Sequence, residues 1–166
     1  MDFHTSMGYR MTRRRLMQLL SSLGLAGHAA TTHAVAPAKL DLPEAEWKRK
    51  LSPAQFSVLR QHGTERAHTS PLNAEKRAGT YHCAGCDLPL FSAKAKYESG
   101  TGWPSFHTAL ADAVGTQVDL KMILPRTEYH CARCSGHQGH VFSDGPAPTG
   151  KRYCNNGVAL RFEAAA

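Results

Sequence analysis

Gln117-Val118-Asp119-Leu120-Lys121-Met122 alternates polar and apolar residues, the period of two that sends successive side chains to opposite faces of a β-strand. Val158, Leu160 and Phe162 repeat the pattern near the C-terminus. From Gly79 onward such runs are separated by Gly and Pro punctuation, as in Asp87-Leu-Pro89, Gly100 to Pro104 and Asp144-Gly-Pro146. That punctuation favours antiparallel strands and turns over helices. Upstream, Asp41-Leu-Pro-Glu44 and Ser52-Pro-Ala-Gln55 each place a capping side chain three residues before Glu or Gln, with Pro in the first turn, so two short helices are expected there. The second presents Phe56 and Leu59 on one face and meets Gly63, a suitable left-handed stop. The chain of 166 residues thus reads as one mainly β domain with a small helical N-terminal arm.

Residues 1–36 read differently. Met11-Thr-Arg-Arg-Arg-Leu16 gives a cationic start, an apolar run follows from Leu16 to Ala26, and Ala34-Val35-Ala36 offers a small-residue cleavage site. These are the parts of an export signal, and the arginine cluster resembles a bacterial twin-arginine signal. The apolar run falls short of the ~20 residues that a membrane-spanning helix needs, so no stable anchoring is expected. The expected organisation is a leader over 1–36, a domain over 37–166, and a periplasmic or otherwise extracytoplasmic location. Of the formal charge of +7, the leader carries +3; from Pro37 onward 16 Lys and Arg face 12 Asp and Glu, or +4. The charges are scattered, without a basic stripe interleaved with aromatics, which argues against nucleic acid as a partner.

Five cysteines are too few for a disulfide-rich scaffold of this length, and their spacing is informative. Cys83-Ala-Gly-Cys86 and Cys131-Ala-Arg-Cys134 have 44 residues between them, each preceded by Tyr-His. Two such knuckles can bring four thiolates to the corners of a tetrahedron, a closed structural Zn²⁺ site. Two disulfides in an oxidising compartment are the competing reading, and iron is a further one. Cys154, in Arg152-Tyr-Cys-Asn-Asn-Gly157, has no CxxC partner. The ordinary fate of a lone cysteine is a small buried hydrophobe; here a nearby guanidinium and polar amides favour a nucleophile.

Further motifs decide between these. Gly63-Thr-Glu-Arg66, Ser99-Gly-Thr-Gly-Trp103-Pro-Ser-Phe106, Arg126-Thr-Glu128, His137-Gln-Gly-His140-Val-Phe142 and Asp144-Gly-Pro146 join the CxxC pairs and the Cys154 segment. From about Trp47 to Phe162 they resemble, in the same order, the B-type methionine sulfoxide reductases. The resemblance implies two antiparallel sheets in a tent-like arrangement, a structural zinc on Cys83, Cys86, Cys131 and Cys134, and Cys154 as the nucleophile in thiol-dependent reduction of methionine (R)-sulfoxide. A monomer is expected that repairs oxidised protein or peptide under oxidative stress, and because the paired cysteines would be held by zinc and Thr101 stands where a helper cysteine often sits, an external, thioredoxin-like thiol is expected as reductant. By motif position, Trp103 would hold the substrate methyl, with Phe142 as a further wall of its pocket. His137, His140 and Asn156 would orient water and polarise the S=O oxygen, and Arg152 would bias Cys154 toward thiolate. Chemistry agrees, because a sulfoxide sulfur becomes electrophilic only when its oxygen is protonated or hydrogen-bonded. Glu128 has two readings, orienting a histidine or facing solvent, and Asp144 a supporting one.

Three positions depart from the family pattern. Thr101 stands where members often carry a second cysteine, Gln138 where Leu is usual, and Gly157 where Ser commonly follows the asparagine. Two rival functions share the zinc pairs: a zinc-ribbon binding module without chemistry, and a thiol–disulfide oxidoreductase acting through a CxxC pair. The Trp, His and lone-Cys motifs, which a ribbon does not need, weigh against the first. Stoichiometric zinc on the paired thiols would argue against the second.

Overall fold

The computed structural model describes Met1 and residues 36–121 and 123–166; the expected export signal falls almost wholly outside them. Helix α1 spans Glu44–Lys50 and α2 spans Pro53–Gln61. The expected Asp41 cap on α1 does not form, because Pro43 itself takes the N-cap position without a side-chain bond. Glu44 and Glu46 in the first turn and Lys48, Arg49 and Lys50 in the last complement the helix dipole instead. Helix α2 has the expected capping box: Gln55 N donates to Ser52 Oγ (3.2 Å) and Ser52 N to Gln55 Oε1 (3.0 Å). Its left-handed stop, however, is His62 (φ 57°) and not Gly63. Gly63 is needed for closeness: its N–H donates to Ser57 O at 2.9 Å, and a Cβ there would lie 2.7 Å from Ser57 Oγ.

The remaining chain forms two antiparallel sheets, as expected. The smaller has the order β2-β1-β9, from Pro89–Ser92, Gly79–Cys83 and Leu160–Ala164. The larger runs β3-β4-β8-β7-β6-β5, from Lys96–Tyr97, Ser105–Phe106, Arg152–Asn155, His137–Phe142, Arg126–Cys131 and Val114–Asp119. Aromatic rings fill the core. Phe91 stacks on Phe106 (centroids 4.3 Å), Tyr81 meets Phe106 edge-on (4.9 Å), and Tyr129 closes on Phe91 (6.1 Å). Offset and edge-on pairs of this kind add to the stabilisation from area burial alone. Trp47 and Leu59 bring the two helices onto the same core.

The two alternating runs fare differently. In β9, Leu160 and Phe162 point inward while Arg161 and Glu163 face solvent. In β5 the strand is present but its sides are exchanged: Val118 is 70% exposed and, just past the strand, Leu120 is 73% exposed. Strand β5 lies at the sheet edge, and its polar Asp119 turns inward to meet His140 and Arg126. A periodicity of two fixes which residues share a face but not which face the protein buries.

Candidate functional site

Cys83 ends β1 and Cys131 ends β6, so the two CxxC pairs lie where strands of different sheets break into turns. The turns are alike. Asp87 N donates to Cys83 O (2.8 Å) and Ser135 N to Cys131 O (2.9 Å), and both Asp87 and Ser135 are left-handed. All four Sγ atoms lie within 4.8 Å of one another, with Cys83–Cys134 at 3.7 Å and Cys86–Cys131 at 3.4 Å. Four thiolates around Zn²⁺ at ~2.3 Å stand about 3.8 Å apart, so the cluster suits a metal ion. These separations far exceed the ~2 Å of a disulfide. Arg60 Nη1 donates to Cys134 O (2.8 Å) and Arg133 Nη1 to Cys86 O (3.2 Å), which ties the knot to α2 and across its two turns.

Cys154 occupies the middle of β8, directly opposite Ser105 on β4 and His140 on β7; His140 in turn faces Glu128 on β6. Directly opposed residues share a sheet face with Cβ atoms ~5 Å apart. Cys154, Trp103, Arg126, His140, Phe142 and Asn156 line one pocket of about 130 Å³. That volume is about that of four liquid waters. Trp103 Nε1 donates to Glu65 O (3.1 Å), fixing the indole. Arg152 lies over the Phe142 ring at 4.3 Å and grips Asp144 with two bonds of 2.9 Å. Two of the expected site residues, Arg152 and His137, do not line the pocket.

Burial pushes the Cys154 thiol up. The Arg152 charge and hydrogen bonds from Thr101 and Arg152 pull it back without overcoming burial. Arg152 pulls the Cys154 pKa down, and burial outweighs it. The Thr101 hydroxyl belongs to a short chain with Ser99 (2.8 Å) and, through Ser99, with Ser105 (2.8 Å).

Three residues apart on a regular strand, His137 and His140 would point to opposite faces. A bulge prevents this: Tyr129 and His130 are neighbours on β6, yet they pair with Gly139 and His137, leaving Gln138 as the extra residue. The bulge restores the two imidazoles to one face, where their centroids are 5.5 Å apart. His140 Nε2 meets Asp119 Oδ2 at 2.7 Å, and Arg126 Nη2 donates to the same oxygen at 2.7 Å. Burial lowers the His140 pKa against the pull of Asp119. A neutral ring donating Nε2–H to the carboxylate has its lone pair on Nδ1. His137 Nδ1 meets Glu128 Oε1 at 2.8 Å, and His130 Nδ1 meets Glu128 Oε2 at 3.2 Å. Burial works against the Glu128 carboxylate, but the bonds from His130 and His137 outweigh it and hold its pKa down at about 2. Of its two readings, then, Glu128 orients histidines.

Several contributors were not singled out by sequence reasoning. Glu65, within the quoted Gly63–Arg66 motif but given no role, accepts from Gly157 N and Val158 N (3.1 Å), and its own N–H donates to Asn156 Oδ1 (3.0 Å). Asn156 Nδ2 donates to Gln138 O (2.9 Å), so the Asn156 amide ties the Glu65 segment to β7. Gly157 fits this clamp, since a Cβ would overlap the Ser70 side chain. Asp119 and Arg126 orient His140; the alternation containing Asp119 could have exposed it, had the polar side been read as the inner one.

A lone thiol facing a carboxylate-held imidazole and a fixed indole, on a fold stapled by a four-cysteine knot, has the makings of a thiol-based redox catalyst. Residues 51–164 match the SelR domain family. The chain is 51% identical over 126 residues to peptide methionine sulfoxide reductase MsrB of Pseudomonas putida, covering 75% of this chain and 95% of that protein. It is also 51% identical over 124 residues to chloroplastic peptide methionine sulfoxide reductase B1 of Arabidopsis thaliana, covering 74% of this chain but only 61% of the relative. MsrB of Methanosarcina barkeri is 52% identical over 121 residues, 72% of this chain and 85% of its own. The chain belongs to the SelR-domain family of methionine sulfoxide reductases, oxidoreductases that reduce methionine sulfoxide at the expense of thiols.

Proposed function

We propose that this chain reduces the R epimer of peptide-linked methionine sulfoxide, with Cys154 as the nucleophile. The observation that carries the reading is the cross-strand placement of Cys154 opposite His140, beside the Trp103 indole in one pocket. The indole and Phe142 supply the flat apolar walls that a sulfoxide methyl needs. His140, neutral and with Nδ1 free, takes the Cys154 proton and returns it to the sulfoxide oxygen; His137 beside it supports the transfer. The Cys154 sulfur then attacks the activated sulfoxide sulfur, and the protonated oxygen passes to Cys154 as the S–O bond breaks. Two electrons pass from the thiol to the sulfoxide sulfur, giving methionine and a Cys154 sulfenic acid with no atom unaccounted for.

The sulfenic acid must be reduced by another thiol. Cys83, Cys86, Cys131 and Cys134 converge on each other, and Thr101 occupies the position of the family's frequent helper cysteine. An external dithiol of the thioredoxin kind therefore attacks Cys154 directly, releasing water and leaving a mixed disulfide. Its second thiol then frees the enzyme and leaves as part of the reductant's own disulfide. The cysteine knot holds one structural Zn²⁺, which supplies folding energy and no chemistry. The protein acts as a monomer, and residues 1–36 direct it, already folded, out of the cytoplasm by a twin-arginine route.

An epimer-resolved assay on a methionine sulfoxide peptide tests the reading: wild type should consume only the R epimer and Cys154→Ser neither. Equal turnover of both epimers would sink it. Replacing Arg13 and Arg14 by Lys should strand precursor in the cytoplasm, and undiminished periplasmic delivery would refute the export route.

A further inference from the structure

The cysteine knot is one of two metal-competent clusters among the described residues. The other comprises His62, Glu128 and His137, each offering one ligand atom, with all three atoms within 4.8 Å of one another. They come from three separate elements: the C-terminal cap of α2, the middle of β6 and the start of β7. Glu128 and His137 are buried, whereas His62 is exposed. The His62 and His137 rings lie with centroids 5.1 Å apart and planes tilted by 42°.

We propose that His62, Glu128 and His137 form a second, reversible site for a borderline divalent cation such as Zn²⁺, and that its occupancy stops turnover. Two imidazoles and one carboxylate are a ligand set that suits zinc while leaving a fourth position to water. Ligand atoms at ~2.0–2.1 Å from tetrahedral zinc stand about 3.3 Å apart; with none of the three more than 4.8 Å from another, no pair has to close by more than about 1.5 Å. The exposed His62 can supply that movement, while His130 against Glu128 Oε2 (3.2 Å) steadies the carboxylate as an outer partner does in established metal sites. A cleft of about 440 Å³, lined by His62, Gln117, Asp119, Lys121 and Glu128, gives an ion a route from solvent. Asp119 on its wall attracts a cation and Lys121 repels one. Metal on His137 takes that ring out of proton traffic beside His140. The inhibitory part of the inference rests on the function proposed above; the binding part does not.

The test uses full-length protein with its structural zinc in place. Zn²⁺ is titrated against a chromophoric chelator in a Cys154→Ser background, where the nucleophilic sulfur cannot be a ligand, and turnover is followed in parallel with Cys154 intact. A second equivalent of Zn²⁺ is expected, with inhibition reversed by a chelator too weak to empty the knot. His62→Asn keeps a residue that tolerates the left-handed cap and removes the imidazole. It should weaken both the second binding and the inhibition by at least about tenfold while leaving metal-free turnover unchanged. Lys121→Ala should tighten binding. A single equivalent throughout, or a second one that His62→Asn leaves unchanged, as imidazoles elsewhere in the chain would give, overturns the site. Binding that is lost in His62→Asn but never inhibits keeps the site, overturns the inhibition, and counts against the catalytic placement of His137.

Discussion

The cysteine knot and the Cys154 pocket treat the same functional group in opposite ways, and the difference lies in where each cysteine falls within its element. Cys83 and Cys131 are the last residues of strands, and each is followed by a left-handed turn that swings a second thiol back toward the first. Four sulfurs therefore meet with no substrate-sized space between them. Cys154 is mid-strand, flanked on one side by Ser105 and on the other by His140, so its neighbours are a hydroxyl and an imidazole, and one face of it opens on a pocket. Strand ends gather thiols into a cluster that suits a metal ion, whereas a strand interior leaves one thiol alone beside a pocket.

The widest separation between the two regions should come from serine substitutions. Cys131→Ser should cost metal, soluble yield and fold together, lowering Tm by about 10 °C or more, because binding energy at such a site is folding energy. Cys154→Ser should abolish turnover while leaving zinc content and Tm unchanged. Metal analysis and calorimetry on both variants check this, and a Cys131→Ser protein that melts normally without zinc would erase the distinction.

Within the pocket, the next largest effect concerns His140 and its support. His140→Ala should lower kcat about 100-fold, the ordinary loss for a positioned acid–base group. Asp119→Asn, which keeps the shape but weakens the hold on Nε2, should cost about tenfold. If Asp119→Asn is as active as wild type, the Asp119–His140 bond is structural only.

Much of this was legible in the sequence for a stated reason. The CxxC spacing, the Ser52 capping box and the Leu160–Phe162 alternation are local patterns whose physics is complete within a few residues. What escaped depends on pairing across the sheet. Nothing local says that Asp119 rather than Val118 faces inward, that a bulge at Gln138 brings His137 round to the side of His140, or that Glu65 reaches Gly157 from 92 residues away. Glycine is the usual residue for a left-handed helix stop, which points to Gly63, yet His62 takes that turn and the glycine answers instead to the proximity of Ser57.

A smaller effect sharpens the contrast in thiol chemistry. The Cys154 pKa is raised by burial and restrained by Arg152 and Thr101, so its thiolate fraction grows as pH rises and has not levelled off at pH 8.5, the ordinary thiol value. Iodoacetamide alkylation of Cys154, read by mass spectrometry, should accelerate about tenfold per pH unit from 7 to 8.5. Arg152→Ala or Thr101→Val should slow it at every pH in that range by moving the midpoint further up. A plateau below pH 8 would mean that the guanidinium outweighs burial after all.

The smallest effect belongs to the residue that touches both regions. Gln138 Nε2 donates to Cys83 Sγ at 3.5 Å, and its Oε1 accepts from Asn155 Nδ2 at 3.4 Å, so one fully buried amide spans the space between the knot and the strand that carries Cys154. Both bonds are long, and Asn155 Nδ2 has a better partner in Asn156 O at 2.8 Å. Gln138→Leu, a change to the residue usual in the family, therefore strands no donor and exchanges an amide for an apolar side chain of similar volume. Stability should change by no more than about 1 kcal/mol, and turnover by less than about twofold. Zinc, having lost one hydrogen bond to a ligand sulfur, should leave for a strong chelator somewhat faster, by at most about tenfold. Should turnover instead fall by ten or more while zinc stays bound, Gln138 would be transmitting the geometry of the knot to Cys154, and the two regions would have to be treated as one site.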